Sequence, residues 1–137
     1  MANTMATIEI SASPDQVWNL IGGFNSLPDW LPYIPSSELS EGGRVRRLEN
    51  PDGDVIIERL VGFNDKERSY TYSIMQAPFP VTNYESTLRV RENGSKGTLV
   101  EWSGTFTPVG VSEDEVIKLF HGIYTDGLEA LKKAVQA

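Results

Sequence analysis

The sequence predicts an α+β domain: one curved antiparallel sheet of about seven strands wrapped around a long C-terminal helix, with two short helices after the first strand. Three observations predict it. Residues from Ser36 to Thr107 fall into short strand-forming runs divided by turn signals. An apolar stripe at helical spacing fills the stretch after Ser112. A lone alternating strand and a capped helix stand ahead of both.

Thr4 to Ser11 alternates polar and apolar, with Ala6, Ile8 and Ile10 on one face of a first strand. Ser13, Pro14 and Gln16 then supply a capping serine, a proline at the first helical position and an N3 glutamine, opening a helix to about Ile21 that Gly22 and Gly23 stop. Phe24 to Tyr33 carries Pro28 and Pro32 around Asp29, Trp30 and Leu31 and can hold only a short helical turn, because each proline restricts the residue before it. Six strands are expected over 36–40, 44–49, 55–63, 67–75, 82–91 and 98–107, and their short connections favour an antiparallel meander. Ser112 to Glu115 is a second capping box. Val116, Leu119, Phe120, Ile123, Leu128, Leu131 and Val135 continue from it to the chain's end, a helix of roughly 33 Å at about 1.5 Å per residue. An amphipathic helix of that length covers the apolar face of a curved sheet, and the space left between them becomes a cavity.

Composition narrows the function. A chain of 137 residues fits one domain, here read as 1–137, and 39% apolar with 23% charged residues is ordinary for a soluble globular protein. A net charge of -7 with no basic run argues against binding a phosphate backbone, so nucleic acid is not an expected partner. With no cysteine and a single histidine, His121, there is no thiolate nucleophile and no histidine-rich or thiolate metal site; neither metal nor cofactor is expected. The N-terminal residues carry no basic region followed by a long apolar one, and nowhere do about eighteen apolar residues run together, so a cytoplasmic location without membrane insertion is expected. No phosphate loop, nucleophile elbow or dinucleotide fingerprint is present.

The most informative residues are two glutamates inside strand-like runs, Glu58 and Glu101, because an ionised carboxylate out of water is costly unless paired or neutralised. Glu58 and Arg59 are adjacent in an otherwise apolar run, so period two sends one of them inward: Arg59 snorkelling to the rim, or Glu58 into the cavity beside Ile56 and Leu60. Parity groups Glu101 with Leu99, Ser103 and Thr105 and so points it outward. Arg89 and Arg91 belong outside, which turns Tyr84, Ser86, Leu88 and Val90 inward, and the preceding strand turns Tyr70, Tyr72 and Ile74 the same way. These tyrosines are either core aromatics or the polar fittings of an apolar pocket. Asp29, Glu85 and His121 read as surface residues.

The element order over nearly the whole chain resembles the helix-grip fold of the START/Bet v 1-like (SRPBCC) superfamily and its bacterial polyketide cyclase/dehydrase and lipid transport group. The local carriers are Val17-Trp18, Trp30-Leu31-Pro32, Glu58-Arg59-Leu60, Phe63-Asn64-Asp65, Asn83-Tyr84-Glu85-Ser86, and Val100-Glu101-Trp102 ahead of Pro108. They are similar to the MxaD-like subgroup and, more distantly, to plant abscisic-acid receptors. The resemblance implies an inward Glu58, since the receptors' Glu-Arg-Leu glutamate lines their ligand pocket. It also implies an inward Glu101, which a β-bulge near Gly104 would reconcile with parity. By position, Asn50 to Asp54 and Ala77 to Val81 resemble the receptors' gate and latch, with Phe79 as an apolar lip. Leu31 stands where those receptors hold a ligand-pairing lysine, which speaks against a hormone-type carboxylic acid.

The function expected is binding of a small hydrophobic or aromatic molecule between sheet and C-terminal helix. Glu58, Tyr72, Phe79, Tyr84, Ser86, Glu101, Leu119 and Ile123 are the candidate ligand-binding residues. An alternative is a cyclase, dehydratase or isomerase in which Glu58 is a general base assisted by a tyrosine. A third reading is a partner-interaction protein gated by ligand closure of the two mouth loops. The sequence leaves a homodimer open.

Overall fold

The computed structural model describes residues 2–94 and 97–136, so the last helix is seen as far as Gln136, and Ala137 lies outside the described residues. β1 (Ala2–Ile10) is followed by α1 (Pro14–Ile21) and the one-turn α2 (Leu27–Trp30). β2 (Ser36–Ser40), β3 (Val45–Glu49), β4 (Val55–Asn64), β5 (Ser69–Gln76), β6 (Val81–Glu92) and β7 (Thr98–Pro108) then run as a meander into α3 (Glu113–Gln136). Every neighbouring pair is antiparallel, and the seven-stranded order is β1-β7-β6-β5-β4-β3-β2. The first and second strands therefore lie at opposite edges of the sheet. α1 and α2 carry the chain between those edges, and α3 returns across the concave face.

Local chemistry accounts for the boundaries. The Ser13 hydroxyl accepts the Gln16 amide at 3.2 Å, and Ser112 accepts that of Glu115 at 3.2 Å, each satisfying one of the orphan donors at a helix start. In the β3–β4 turn the Asn50 side chain accepts the amides of both Asp52 (3.0 Å) and Asp54 (2.9 Å), and Gly53 takes the left-handed conformation the turn needs (φ 85°). α1 is held over the sheet by Trp18, whose indole donates to Asp65 at 2.7 Å. β4 alternates as expected only to Leu60; a register shift follows between Leu60 and Gly62, and Val61 and Phe63 are exposed. This end of the strand runs past the helical cover, and Phe63 instead rests its ring 5.7 Å from that of Trp18.

Helix α3 seats Val116, Phe120, Tyr124, Gly127, Leu128 and Leu131 against the sheet, a spacing of three and four that keeps one stripe inward. It runs mainly along β1 and comes down onto β7 at Gly127. A methyl group on Gly127 would lie 2.6 Å from Cζ3 of Trp102 and 3.2 Å from Cδ1 of Leu31, so only glycine lets the helix down onto that ring. Trp102 has no room to yield, being stacked on Tyr124 at 4.9 Å and held by its indole N–H. Gly127→Ala, worth about 1 kcal/mol of stabilisation in a free helix, is therefore expected to destabilise this protein by about 1–3 kcal/mol. The check is a urea midpoint measured at unchanged slope; a variant as stable as the parent would rule out the close contact.

Candidate functional site

The site begins with two residues directly opposite each other in the β3–β4 ladder, Arg46 and Glu58. Both face the concave side and both are buried, at 1% and 6% exposure. Arg46 Nε donates to Glu58 Oε1 at 2.8 Å, and Nη2 forms an ion pair with the same oxygen at 2.7 Å. Nη1 donates to the Phe24 carbonyl at 2.9 Å, which ties the connector between α1 and α2 to the sheet. Phe24, Tyr72 and Tyr70 place their rings 4.2, 4.9 and 5.6 Å from the guanidinium carbon, the arrangement of a cation–π cage. Burial pushes the Glu58 carboxyl above its ordinary value, and Arg46, by charge and hydrogen bond, offsets only part of that rise. Burial also works against charge on Arg46. It is outweighed by Glu58, Tyr70 and Tyr72, and the guanidinium stays a cation.

Along the sheet from this pair lies a run of aromatic residues. Tyr72 and Tyr84 are 6.1 Å apart by ring centroid, and Tyr84 packs 4.9 Å from Phe120 of α3. The Trp102 indole donates to the Tyr72 hydroxyl (3.2 Å) and to Ser86 (3.1 Å), and Ser86 passes its own proton to the Ser103 carbonyl (2.7 Å). The hydroxyls of Tyr84 and Tyr124 bond to each other across the sheet–helix boundary. Burial raises Tyr72 and Tyr84 well above the usual phenol range and pushes Tyr124 up to about 12. All three are neutral near pH 7; Tyr72 accepts from Trp102, and one of Tyr84 and Tyr124 donates to the other.

Between these groups and α3 lies a cavity of about 50 Å³ walled by Arg46, Glu58, Tyr72, Tyr84, Trp102 and Tyr124, with leucines, isoleucines, Phe79 and Phe120 completing it. That holds a few waters at most, well below the roughly 300–1,000 Å³ of a ligand pocket, so side chains fill most of the space in this conformation. Outside it, along α3, an apolar groove of about 480 Å³ runs between Leu31, Pro32 and Tyr33 on one side and Leu119, Ile123 and Phe79 on the other. Leu31, Tyr33, Phe79 and Ile123 belong to both spaces and form the partition.

Of the residues singled out in the sequence, Glu58, Tyr72, Phe79, Tyr84 and Ile123 line the cavity. Three others do not. Glu101 points outward and pairs with Arg91 on the convex face. The expected bulge near Gly104 is absent: β1 pairs with β7 without interruption from Ala2–Phe106 to Ile10–Thr98, so strand parity holds. The irregularity falls in β6, between Thr82 and Glu85, where Asn83 has φ 53°. Ser86 does face inward but sits behind Trp102, its hydroxyl consumed by that indole and by the Ser103 carbonyl. Leu119 is 37% exposed and belongs to the outer groove, because it lies at the edge of the α3 stripe. The Asn50 loop is locked by its own side chain and reaches Tyr33, whose hydroxyl accepts from Asn50 at 3.2 Å. Asp29, Glu85 and His121 are exposed.

Sequence reasoning missed Arg46, Trp102 and Tyr124. Arg46 shares parity with the apolar Leu48, and Tyr124 stands four residues after Phe120 on the buried stripe, so a signal for both was present.

Comparison with known proteins places this geometry. No curated protein matches the sequence. Among solved structures, the protein XoxI from Bacillus cereus is 71% identical over 99% of this chain and 96% of its own, with a TM-score of 0.97. An uncharacterized protein from Bacillus thuringiensis is 68% identical over 99% and 100%, also at 0.97. The Zhui aromatase/cyclase from Streptomyces sp. R1128 covers 97% of this chain and 90% of its own at a TM-score of 0.76, but at 18% identity that likeness shows the helix-grip fold alone. Among the described residues no helix is long and apolar enough to cross a membrane. The family described as polyketide cyclase / dehydrase and lipid transport matches residues 1–136, and this chain belongs to it.

Proposed function

We propose that the chain works as one START-like domain that binds a small apolar or aromatic molecule between the sheet and α3, with Glu58, Tyr72 and Tyr84 at the polar end and Phe79 and Ile123 at the mouth. The observation that carries this reading is the adjacency of the two spaces across a partition of side chains. A cavity with one buried ion pair and neutral tyrosines is separated from a wide apolar groove only by side chains that line both. Apolar walls with a few placed polar groups are how small-molecule sites are usually built. The reading agrees with the resemblance to the MxaD-like proteins and to the abscisic-acid receptors, whose corresponding glutamate lines a ligand pocket. The probe that tests it is N-phenyl-1-naphthylamine, a neutral apolar fluorophore. Saturable emission at one site per chain is expected, lost when Ile123→Trp fills the mouth; a linear, unsaturated rise in the parent protein would refute the reading.

A second reading adds turnover at the same residues. Burial raises the Glu58 carboxyl toward the range of a general base, and the neutral Tyr72 hydroxyl on the same wall suits an enolate oxygen. The hydrogen bond and ion pair from Arg46 to Oε1 oppose it by lowering that carboxylate's basicity.

In this proposal the ion pair lines the site and specifies register without adding net stability over an apolar pair. Breaking it by Glu58→Gln is expected to cost about 3–5 kcal/mol, because an unpaired guanidinium is left buried. Replacing both partners, Arg46→Met with Glu58→Leu, is expected to restore stability to within about 1 kcal/mol of the parent, or to exceed it. Chemical denaturation measures both, and a double variant as unstable as the single one would contradict the assignment.

The tyrosines make a separate pH prediction. A phenol whose pKa is raised on folding binds its proton more tightly in the folded state. The stability this gives is whole below the ordinary value of 10 and is lost as the pH rises through about 12. Tyr124→Phe should therefore flatten the alkaline fall in stability by an amount on the order of 2 kcal/mol, read from denaturation midpoints across that window. An unchanged profile would show that Tyr124 is not protected.

A further inference from the structure

A guanidinium in the wall of an apolar cavity ordinarily reads as a receptor for carboxylate or phosphate. The geometry here points elsewhere. The charge of Arg46 is already met by Glu58 through Nε and Nη2, Nη1 is turned to the Phe24 carbonyl, and aromatic rings stand close around the guanidinium. An anion arriving at this wall would meet a carboxylate whose partner is taken, and like charges at close range in an apolar setting repel strongly. The charged group left with bonding capacity is the second carboxylate oxygen; the Tyr72 hydroxyl, which accepts from Trp102, is the neutral one. The hydrogen bond and the ion-pair contact from Arg46 both end on Oε1, and no described residue donates to Oε2, although Glu58 lines the cavity. An ionised carboxylate only accepts hydrogen bonds, so what complements it is a donor. Lysine, histidine and the chain's other arginines are absent from the cavity lining, so no second cation competes for an anionic group. The remaining wall is apolar or aromatic, with Ile56, Ile74, Tyr84 and Phe120 suited to a flat hydrocarbon body.

Resting on the reading of this cavity as a ligand site, we infer that the ligand's polar end is an uncharged hydroxyl, of a phenol or an alcohol, that donates to Glu58 Oε2, and that carboxylates and phosphates of the same shape are rejected. Selection of this kind comes from the unpaired acceptor as much as from the repulsion, since a ligand without a donor strips water from Oε2 and returns nothing.

Three probes of one body separate the contributions: 2-naphthol, 2-methoxynaphthalene and 2-naphthoate, titrated at neutral pH and followed by protein NMR shifts. Expected is an affinity for 2-naphthol at least about tenfold above that for either of the others, the scale of a hydrogen bond to a charged group. Equal affinity for 2-naphthol and 2-methoxynaphthalene would overturn the donor requirement, and 2-naphthoate binding as tightly as 2-naphthol would overturn the rejection of anions. If N-phenyl-1-naphthylamine saturates while 2-naphthol shows no preference, this inference fails and the binding reading stands; if none of the four probes binds, both fail. Glu58→Gln leaves Arg46 without its counter-charge and is expected to shift preference toward 2-naphthoate. Where circular dichroism shows that variant unfolded, the comparison of probes on the parent protein decides alone.

Discussion

Arginine and glutamate can share an apolar interior only when each is given its partners there, and much of the concave face is arranged to do so. The pair fixes the β3–β4 register, because slipping either strand by one residue would turn Arg46 or Glu58 to the other face and bury an unpaired charge. It fixes the connector as well. The Phe24 carbonyl takes the third guanidinium bond and the Phe24 ring sits over the cation, so the segment between α1 and α2 is anchored to β3. Tyr70 and Tyr72 complete the cage from β5, so β4, the connector and β5 all meet one side chain of β3.

The far side of the cavity answers a different constraint, the distance between helix and sheet. Gly127 brings α3 down onto Trp102, and Trp102 in turn stacks on Tyr124 of the same helix. Because the helix is this close, the Tyr84 and Tyr124 hydroxyls can satisfy each other, while within the sheet the Trp102 indole donates to Tyr72 and Ser86. Polar groups in an apolar medium are tolerated when paired in this way, and their neutrality follows from the same burial that raises them. The result is a cavity with ionic bonding at one end and neutral bonding at the other.

How far this was legible depends on the range of the forces involved. Strands and helices were readable because period-two alternation and the serine caps at Ser13 and Ser112 are local. The inward turn of Glu58 was half readable, since adjacency to Arg59 forces one charge inside without saying which. Cross-strand pairing decided it: Arg46 across the ladder takes Glu58, while Arg59 reaches Glu41 outside. For Glu101, parity was the better guide than resemblance, because an uninterrupted ladder leaves a strand no freedom to reverse its faces. Depth was not readable at all. Inward parity was right for Ser86, but whether a residue lines a cavity or hides behind a larger neighbour depends on Trp102, which no local pattern reports. Leu119 shows the same gap at the edge of a helical stripe.

The last link is between the small cavity and the wide groove. Phe79 stands in the partition, packed edge-on against Phe120 at 5.2 Å. Its neighbours are Pro78 and Pro80, which fix their own φ angles and restrict the residues before them, so the backbone of this lip is stiff. Val81 adds a turn bond to the Phe79 carbonyl at 2.9 Å. With the backbone held, the cheapest way to join the two spaces is rotation of the Phe79 ring, which breaks one aromatic contact worth about 0.5–1.5 kcal/mol and leaves the sheet untouched. The joined volume falls within the range of small-molecule pockets, roughly 300–1,000 Å³. Under the proposed binding function, a stiff backbone carrying a turning ring would reconcile a nearly filled core with entry of a ligand.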